Sequence, residues 1–539
     1  MKKGLTQIMN KEPTQEQMEV LEHTGNIVVT AKPGSGKTFT VVEKIANIMP
    51  SLPSYQGIIA ISFTNKASDE LKRRCKQRGV EPKQSFFGTI DKFYISQIII
   101  PFASHLTCLM PEYEVVNTLK DDPSYSELNN INGNLTPEQE SLLLSALSEG
   151  KIFLEISGEI ALYILKNVSG ALNYMKARYT HIFIDEYQDC GKIQHAIFLL
   201  LVDNGLTGIA VGDINQAIYG FSNRFPKYLI SLIGQKNFKH IELNKNHRCH
   251  PSISEYSLCL FNASKEIYED KRVFRVSVAG NEKNIAEKID QNLSAIKEKY
   301  GVKHNNNVAI LCRNNGIVHL LDSVLKTSHK TFTDTPLDRD NSEWGRLFRD
   351  IISARFDENV FAVDYAEQLF PDELESVKYH KALVLCQRIF TCHRDAISSV
   401  ESDIIDLAQL VYPKKKSKSA IAMLNQVLTD DKLLNSYIPA AENEINLMTL
   451  HKSKGLEFNI VFHMDLYKWI LPNEYGNAAA QLQDLNLHYV GVTRAIDVCY
   501  LMNGSMRYRS KQGDFVKAEP SPFLSKTGLS ERRRDVTWE

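Results

Sequence analysis

Short, unbroken apolar runs punctuate the chain, each closing on a polar or glycine-containing cluster. They are Ile27-Val28-Val29, Ile58-Ile59-Ala60-Ile61, Ile182-Phe183-Ile184, Ile209-Ala210-Val211, Val308-Ala309-Ile310-Leu311 and Ile460-Val461-Phe462. A strand with one wet face alternates apolar and polar residues; these runs do not alternate, so both of their faces are covered. Separated by helical stretches, they predict parallel sheets wrapped by helices, an α/β fold. Ligands of such sheets sit beyond the carboxyl ends of the strands, so chemistry is expected in the polar cluster after each run.

Two long segments interrupt this rhythm. From Pro101 to about Met175 the pattern is of helices and turns, punctuated by Pro111, Pro123 and Pro137. From about Trp344 to Glu442 it is mainly helical, with a turn at Pro413-Lys414-Lys415-Lys416. Both read as insertions into an α/β framework. The chain then divides into a first lobe at 1–100 and 176–245 around a helical insertion at 101–175, and a second lobe at 246–343 and 443–510 around a helical insertion at 344–442, followed by a C-terminal tail at 511–539. There is no internal repeat and no low-complexity tract.

Composition narrows the class only slightly. With 539 residues, 43% of them hydrophobic and 24% charged, the chain has the makeup of a multidomain globular protein. A net charge of −1 argues against a polycationic nucleic-acid coat, while leaving room for one basic groove on a neutral body. The opening MKKGLTQIMNKEPTQEQ has no apolar stretch behind its lysines, so no signal peptide is expected. No run approaches the roughly 18 apolar residues of a membrane span. Nine scattered cysteines suit reduced thiols, which points to a cytoplasmic location.

Two clusters carry recognisable chemistry. Ala31-Lys32-Pro33-Gly34-Ser35-Gly36-Lys37-Thr38 follows the first apolar run and opens a helical stretch, the setting of a phosphate-binding loop. Its glycines let backbone N–H groups close on phosphates, Lys37 reaches the β- and γ-phosphates, and the Thr38 hydroxyl suits Mg²⁺. Asp185-Glu186-Tyr187-Gln188-Asp189 ends another buried run. Asp185 there suits Mg²⁺ through water, and Glu186 can deprotonate an attacking water.

The clusters fall into an ordered series: Gln17, AKPGSGKT, Ser62-Phe63-Thr64-Asn65-Lys66-Ala67, Gly88-Thr89-Ile90-Asp91, DEYQD, VGDINQAIYGF, Asn246-His247-Arg248, Thr449-Leu450-His451-Lys452-Ser453-Lys454-Gly455-Leu456-Glu457-Phe458 and Tyr489-Val490-Gly491-Val492-Thr493-Arg494-Ala495. Nine motifs in this order closely resemble the UvrD/Rep/PcrA helicases of superfamily 1. The resemblance implies two RecA-like P-loop lobes, ATP with Mg²⁺ as cofactors, and 3′→5′ movement on single-stranded DNA. It implies that Gln17 reads the adenine edge, that Gln216 senses the γ-phosphate, and that Arg248 and Arg494 reach that phosphate to stabilise transition-state charge. Glu457 resembles the ribose contact, and Phe39 and His247 complete the nucleotide set. Phe63, Tyr219 and Phe221 stand where the family stacks aromatics on bases, a contact that tolerates any sequence. Thr64, Asn65, Lys66, Thr89 and His451 stand where it meets the DNA backbone.

The chain departs from the family at several points. Phe221 and Ser222 replace a usual Trp-Arg, Asp91 a His, Phe39 an Arg and His247 a Tyr that stacks on adenine. Neither His247-Arg248-Cys249-His250 nor Cys386…Cys392-His393 has the paired spacing of a structural zinc site. Two functions are compatible with these motifs. One is an ATP-dependent DNA translocase or helicase. The other is a DNA-end-sensing ATPase that controls a partner nuclease: the short form resembles the UvrD-like subunit of the Gabija anti-phage systems, whose partner is an OLD/topoisomerase-primase-type nuclease. No nuclease signature is fused to this chain.

Overall fold

The computed structural model describes residues 12–63, 65–116, 118–131, 135–216, 226–261, 263–340, 342–357, 360–370, 376–413, 416–473 and 475–539. The chain separates into two compact units. One comprises Met1–Tyr113, Thr118–Tyr268 and Asn473–Thr493; the other comprises Glu114–Asn117, Glu269–Pro472 and Arg494–Glu539.

The first unit is built on six strands: β1 (Ile27–Ala31), β2 (Gly57–Ser62), β3 (Phe86–Thr89), β4 (Tyr179–Ile184), β5 (Thr207–Gly212) and β6 (Lys239–Leu243). Their order is β3-β2-β4-β5-β1-β6, and every neighbouring pair is parallel. The four predicted apolar runs of this part of the chain are the four central strands. Their side chains pack on both faces; Ile27, Ile58, Phe183 and Ile209 share a core with Val41 and Ile45 of the helix after β1. The edge strands β3 and β6 carry no long apolar run and are placed by a neighbour on one side only. Parallel register brings the chain out of β4, β5 and β1 side by side, with Ile184 opposite Ala210 and Thr30 opposite Gly212.

The second unit is built on a seven-stranded sheet: β7 (Val273–Val278), β8 (Val308–Cys312), β9 (His329–Phe332), β10 (Ile445–Thr449), β11 (Phe458–His463), β12 (Ala495–Gly504) and β13 (Arg534–Trp538). The order β9-β10-β8-β11-β12-β7-β13 is again parallel throughout. The final strand, close to the chain's last residue, extends the sheet by pairing with β7. Between β9 and β10 lies a helical group that includes Glu343–Arg355, Val377–Thr391, Glu401–Val411 and Lys418–Thr429. It has a core of its own, in which Trp344, Phe348, Leu407 and Leu424 are buried together. The two RecA-like parallel sheets are thus present as expected. Among the described residues no helix is long and apolar enough to cross a membrane.

Candidate functional site

The site of the first unit lies beyond the carboxyl ends of β1, β5 and β4. After β1 the chain turns through Gly34 and Gly36, whose φ angles of 71° and 83° lie in the left-handed region that glycine enters without a side-chain penalty. Gly36 caps α2 (Lys37–Ile48), and no side chain bonds that end. A helix N-terminus left in this state presents backbone N–H groups to an anion. Lys37 and Thr38 occupy its first turn. The hydroxyl of Ser35 is buried without a hydrogen-bond partner among the described residues.

A second helix, α1 (Gln15–Glu22), is clamped to this loop. Gln17 closes a capping box with Thr14, accepting the Thr14 N–H at 2.9 Å, and its amide nitrogen donates to the Ser35 carbonyl at 3.1 Å. At the other end of α1, Lys44 of α2 donates to the carbonyls of Leu21 (2.9 Å) and His23. Lys44 is almost fully buried, and burial holds its ammonium below the usual lysine range. It lies two turns beyond Lys37 on the same helix, a placement that sequence reading passed over because a lone lysine carries no motif.

Across from the loop, Asp185 follows β4 and its carboxylate accepts the N–H of Glu186 at 2.9 Å. Glu186 has a φ of 57°, a left-handed conformation that a residue with a Cβ rarely adopts. This turn aims its carboxylate at the loop, where Oε1 lies 3.3 Å from Lys37 Nζ. The other oxygen accepts from Gln188 Nε2. Asp213, following β5, is the centre of a buried polar group. Its carboxylate accepts from Gln216 Nε2 at 2.7 Å, the Asn215 N–H at 3.0 Å and the Tyr489 hydroxyl at 3.3 Å. Burial pushes its pKa above the usual carboxylate range. Gln188 and Tyr489 stood inside recognised motifs, yet their residue types alone gave them no role.

The Asn246-His247-Arg248 segment lies against the phosphate loop. The His247 N–H donates to the Gly34 carbonyl at 2.8 Å, and Asn246 Oδ1 accepts the Arg248 N–H at 2.8 Å. A Cβ on Gly34 would meet Asn246 Oδ1 at 2.4 Å and Arg248 Cβ at 2.5 Å, so the glycine also serves close packing. The structure therefore gathers Gln17, the 31–38 loop, Asp185, Glu186, Gln216 and Arg248 in one unit.

The DNA candidates divide differently. Phe63 is half-buried after β2, while Thr64 lies outside the described residues and Asn65 and Lys66 open the next helix. Thr89 ends β3 opposite Ser62 of β2. Both hydroxyls are buried and find no hydrogen-bond partner among the described residues. Ser62 was missed because serine at a strand end usually marks only a turn. Tyr219 and Phe221 lie outside the described residues. In the second unit, Glu457 is exposed and His451 half-buried in the loop between β10 and β11. Arg494 is buried immediately before β12, with Nη1 donating to the Leu456 carbonyl at 3.1 Å.

Comparison with known proteins places the chain in a family. The family model described as the UvrD/REP helicase N-terminal domain matches residues 12–110 and 124–235, and that described as the UvrD-like helicase C-terminal domain matches 360–503. The Gabija protein GajB of Bacillus cereus (strain VD045) is 25% identical over 500 residues, spanning 91% of this chain and 95% of that protein. The ATP-dependent DNA helicase Rep of Buchnera aphidicola subsp. Acyrthosiphon pisum is 23% identical over 644 positions, covering 96% of this chain and 97% of its own. Rep of Escherichia coli K12 is 24% identical over 643 positions, covering 96% and 93%. Both Rep alignments exceed the 539 residues of this chain, so those helicases carry segments that it lacks.

Proposed function

The chain belongs to the UvrD/Rep helicase family, and from that premise we propose that it hydrolyses ATP with Mg²⁺ to move 3′→5′ along single-stranded DNA. The observation that carries the nucleotide chemistry is the meeting of Lys37 and Glu186 at 3.3 Å across the mouth of a helix N-terminus whose glycine cap offers no side-chain hydrogen bond. In this reading the loop N–H groups and Lys37 bind the β- and γ-phosphates. Glu186 takes the proton of the attacking water, and Gln216 orients that water. Thr38 and Asp185 would hold Mg²⁺, which supplies charge neutralisation at the phosphates. Two oxygen donors suit an ion that keeps several waters and takes phosphate oxygens as its other ligands. Arg248 and Arg494 stabilise the charge that develops on the transferring phosphoryl group. Phe63, Tyr219 and Phe221 serve as base-stacking positions, and Thr64, Asn65, Lys66, Thr89 and His451 as backbone contacts. At adjacent strand ends the buried hydroxyls of Ser62 and Thr89, which have no hydrogen-bond partner among the described residues, support a polar ligand there.

A second reading is supported by the end-to-end match with the Gabija protein GajB, whose length this chain nearly shares. On it, the ATPase responds to DNA ends and acts with an OLD/topoisomerase-primase-type nuclease in cytoplasmic anti-phage defence. One experiment tests the common core and separates the two readings: steady-state ATPase with no DNA and with single-stranded, blunt and nicked DNA. The parent chain is expected to be stimulated by DNA. Lys37→Ala should lose nucleotide binding, while Glu186→Gln should keep binding and lose about a hundredfold or more in turnover. Near-normal hydrolysis by Glu186→Gln removes the proposed base. Stimulation confined to ends and nicks favours the second reading.

A further inference from the structure

One side chain without a role in this scheme bridges the proposed base and the turn that carries Gln216. Gln188 is fully buried. Its amide nitrogen donates to Glu186 Oε2, and its amide oxygen accepts the N–H of Asp213 at 3.0 Å. The two ends of the carboxamide are therefore committed to two different strand ends, those of β4 and β5. An ionised carboxylate in its place could not donate to Glu186. Room for Gln188 is kept by the last residue of β5: a Cβ on Gly212 would lie 2.5 Å from Gln188 Oε1 and 3.2 Å from its backbone N.

The connection continues beyond Asp213. That residue's carboxylate holds Gln216 and Tyr489, so the turn it anchors cannot shift without moving the N–H that orients Gln188. Glu186 itself sits in a left-handed backbone conformation costing about 1 kcal/mol or more. Of the two described side chains that meet its carboxylate, Lys37 and Gln188, the second is tied in turn to the backbone N–H of Asp213 at the end of β5.

We infer that Gln188 is a positioning residue for hydrolysis, holding the carboxylate of Glu186 in line with the Asp213–Gln216 turn so that movement of that turn re-aims the base. The inference rests on the reading of Glu186 as the base. It differs from a role in core packing, because a packing residue sets stability and nucleotide affinity, whereas a positioning residue sets turnover.

The test uses the full chain, ATP and saturating oligothymidylate, with kcat and KM measured from pH 6 to 9 alongside thermal melting. Gln188→Met keeps length and bulk but loses both hydrogen bonds. Its kcat should fall roughly ten- to a hundredfold, the range for a lost hydrogen bond to a charged group, with KM for ATP within about threefold of the parent. Gln188→Glu keeps the acceptor toward Asp213 and faces Glu186 with a second carboxylate. The acid limb of its kcat profile should move up by about one pH unit or more. Turnover of Gln188→Met within twofold of the parent, or KM rising in step with a lowered melting point, overturns the inference. If Gln188→Met does not fold, the limb of Gln188→Glu decides; if neither folds, the amide is core packing and the inference fails. An inactive parent, or an active Glu186→Gln, removes the underlying base reading instead, so the two failures are told apart.

Discussion

Replacing Gly34 by alanine should do more damage than its single methyl group suggests, and Gly79 provides the control. Both glycines have positive φ, 71° and 78°. A Cβ at Gly79 would meet nothing within 4 Å, so Gly79→Ala registers the backbone penalty alone, about 1–2 kcal/mol. At Gly34 the same penalty is joined by contacts of 2.4 Å to Asn246 Oδ1 and 2.5 Å to Arg248 Cβ. Asn246 cannot give way freely, since its Oδ1 accepts the N–H groups of Arg248 (2.8 Å) and Cys249 (3.3 Å). Overpacking of this kind costs about 1–3 kcal/mol, which brings Gly34→Ala to about 2–5 kcal/mol. For a lobe of this size, 1 kcal/mol corresponds to about 2–4 °C in melting temperature. Gly79→Ala should therefore melt a few degrees below the parent and bind nucleotide normally. Gly34→Ala should melt lower still and bind a non-hydrolysable ATP analogue at least tenfold more weakly, because the loop and the 246–248 segment separate. Scanning fluorimetry and analogue titration measure both quantities. Equal effects of the two substitutions on melting and on binding would show that the loop does not depend on its contact with that segment.

Three further outcomes are expected. Lys44→Met leaves the carbonyls of Leu21 and His23 without their donor, so α1 should loosen and KM for ATP rise about tenfold with kcat nearly kept, and Lys44→Arg should restore much of it; an unchanged KM would sever α1 from nucleotide binding. Asp465 is buried in the left-handed region, and burial, with the nearby Glu282 adding, pushes its pKa from the ordinary 3.8 to about 7. The folded state thus keeps a proton that the unfolded chain gives up between these values, and stability falls as pH rises through that window. Asp465→Asn, neutral and tolerant of that φ, should match the parent near pH 4 and gain up to about 4 kcal/mol above pH 7 in denaturant titrations; a pH-independent difference would refute the assignment. Finally, the chain alone should unwind a 3′-tailed duplex of several tens of base pairs poorly, since the Rep alignments contain segments that it lacks and each base-pair step resists with about 1.4 kcal/mol; efficient single-turnover unwinding by a verified monomer would contradict this.

What could be read from the chain alone follows from how local each cause is. The phosphate loop was legible because its chemistry needs contiguous residues: glycines for the turn, then Lys37 and Thr38 in the first turn of a helix. The six apolar runs were legible because a strand covered on both faces must be apolar throughout, whatever its neighbours. Lys239–Leu243 and Arg534–Trp538 gave no such signal. Both are edge strands, with burial that is partial along their length, and they are recruited by backbone pairing to β1 and β7. In the polar group around Asp213 only Gln216, three residues along the same motif, was given a role from sequence. Gln188 is 25 residues away and Tyr489 is 276 away, and nothing in their spacing makes them meet. The strand order β4-β5-β1 and a buried helix bring them together, and burial then obliges each donor to find an acceptor. Residue type and local order thus determined which chemistry this chain carries. Only the tertiary structure decided which side chains aim it, because a hydrogen bond between distant residues has no cause until packing has removed the water that would otherwise satisfy both partners.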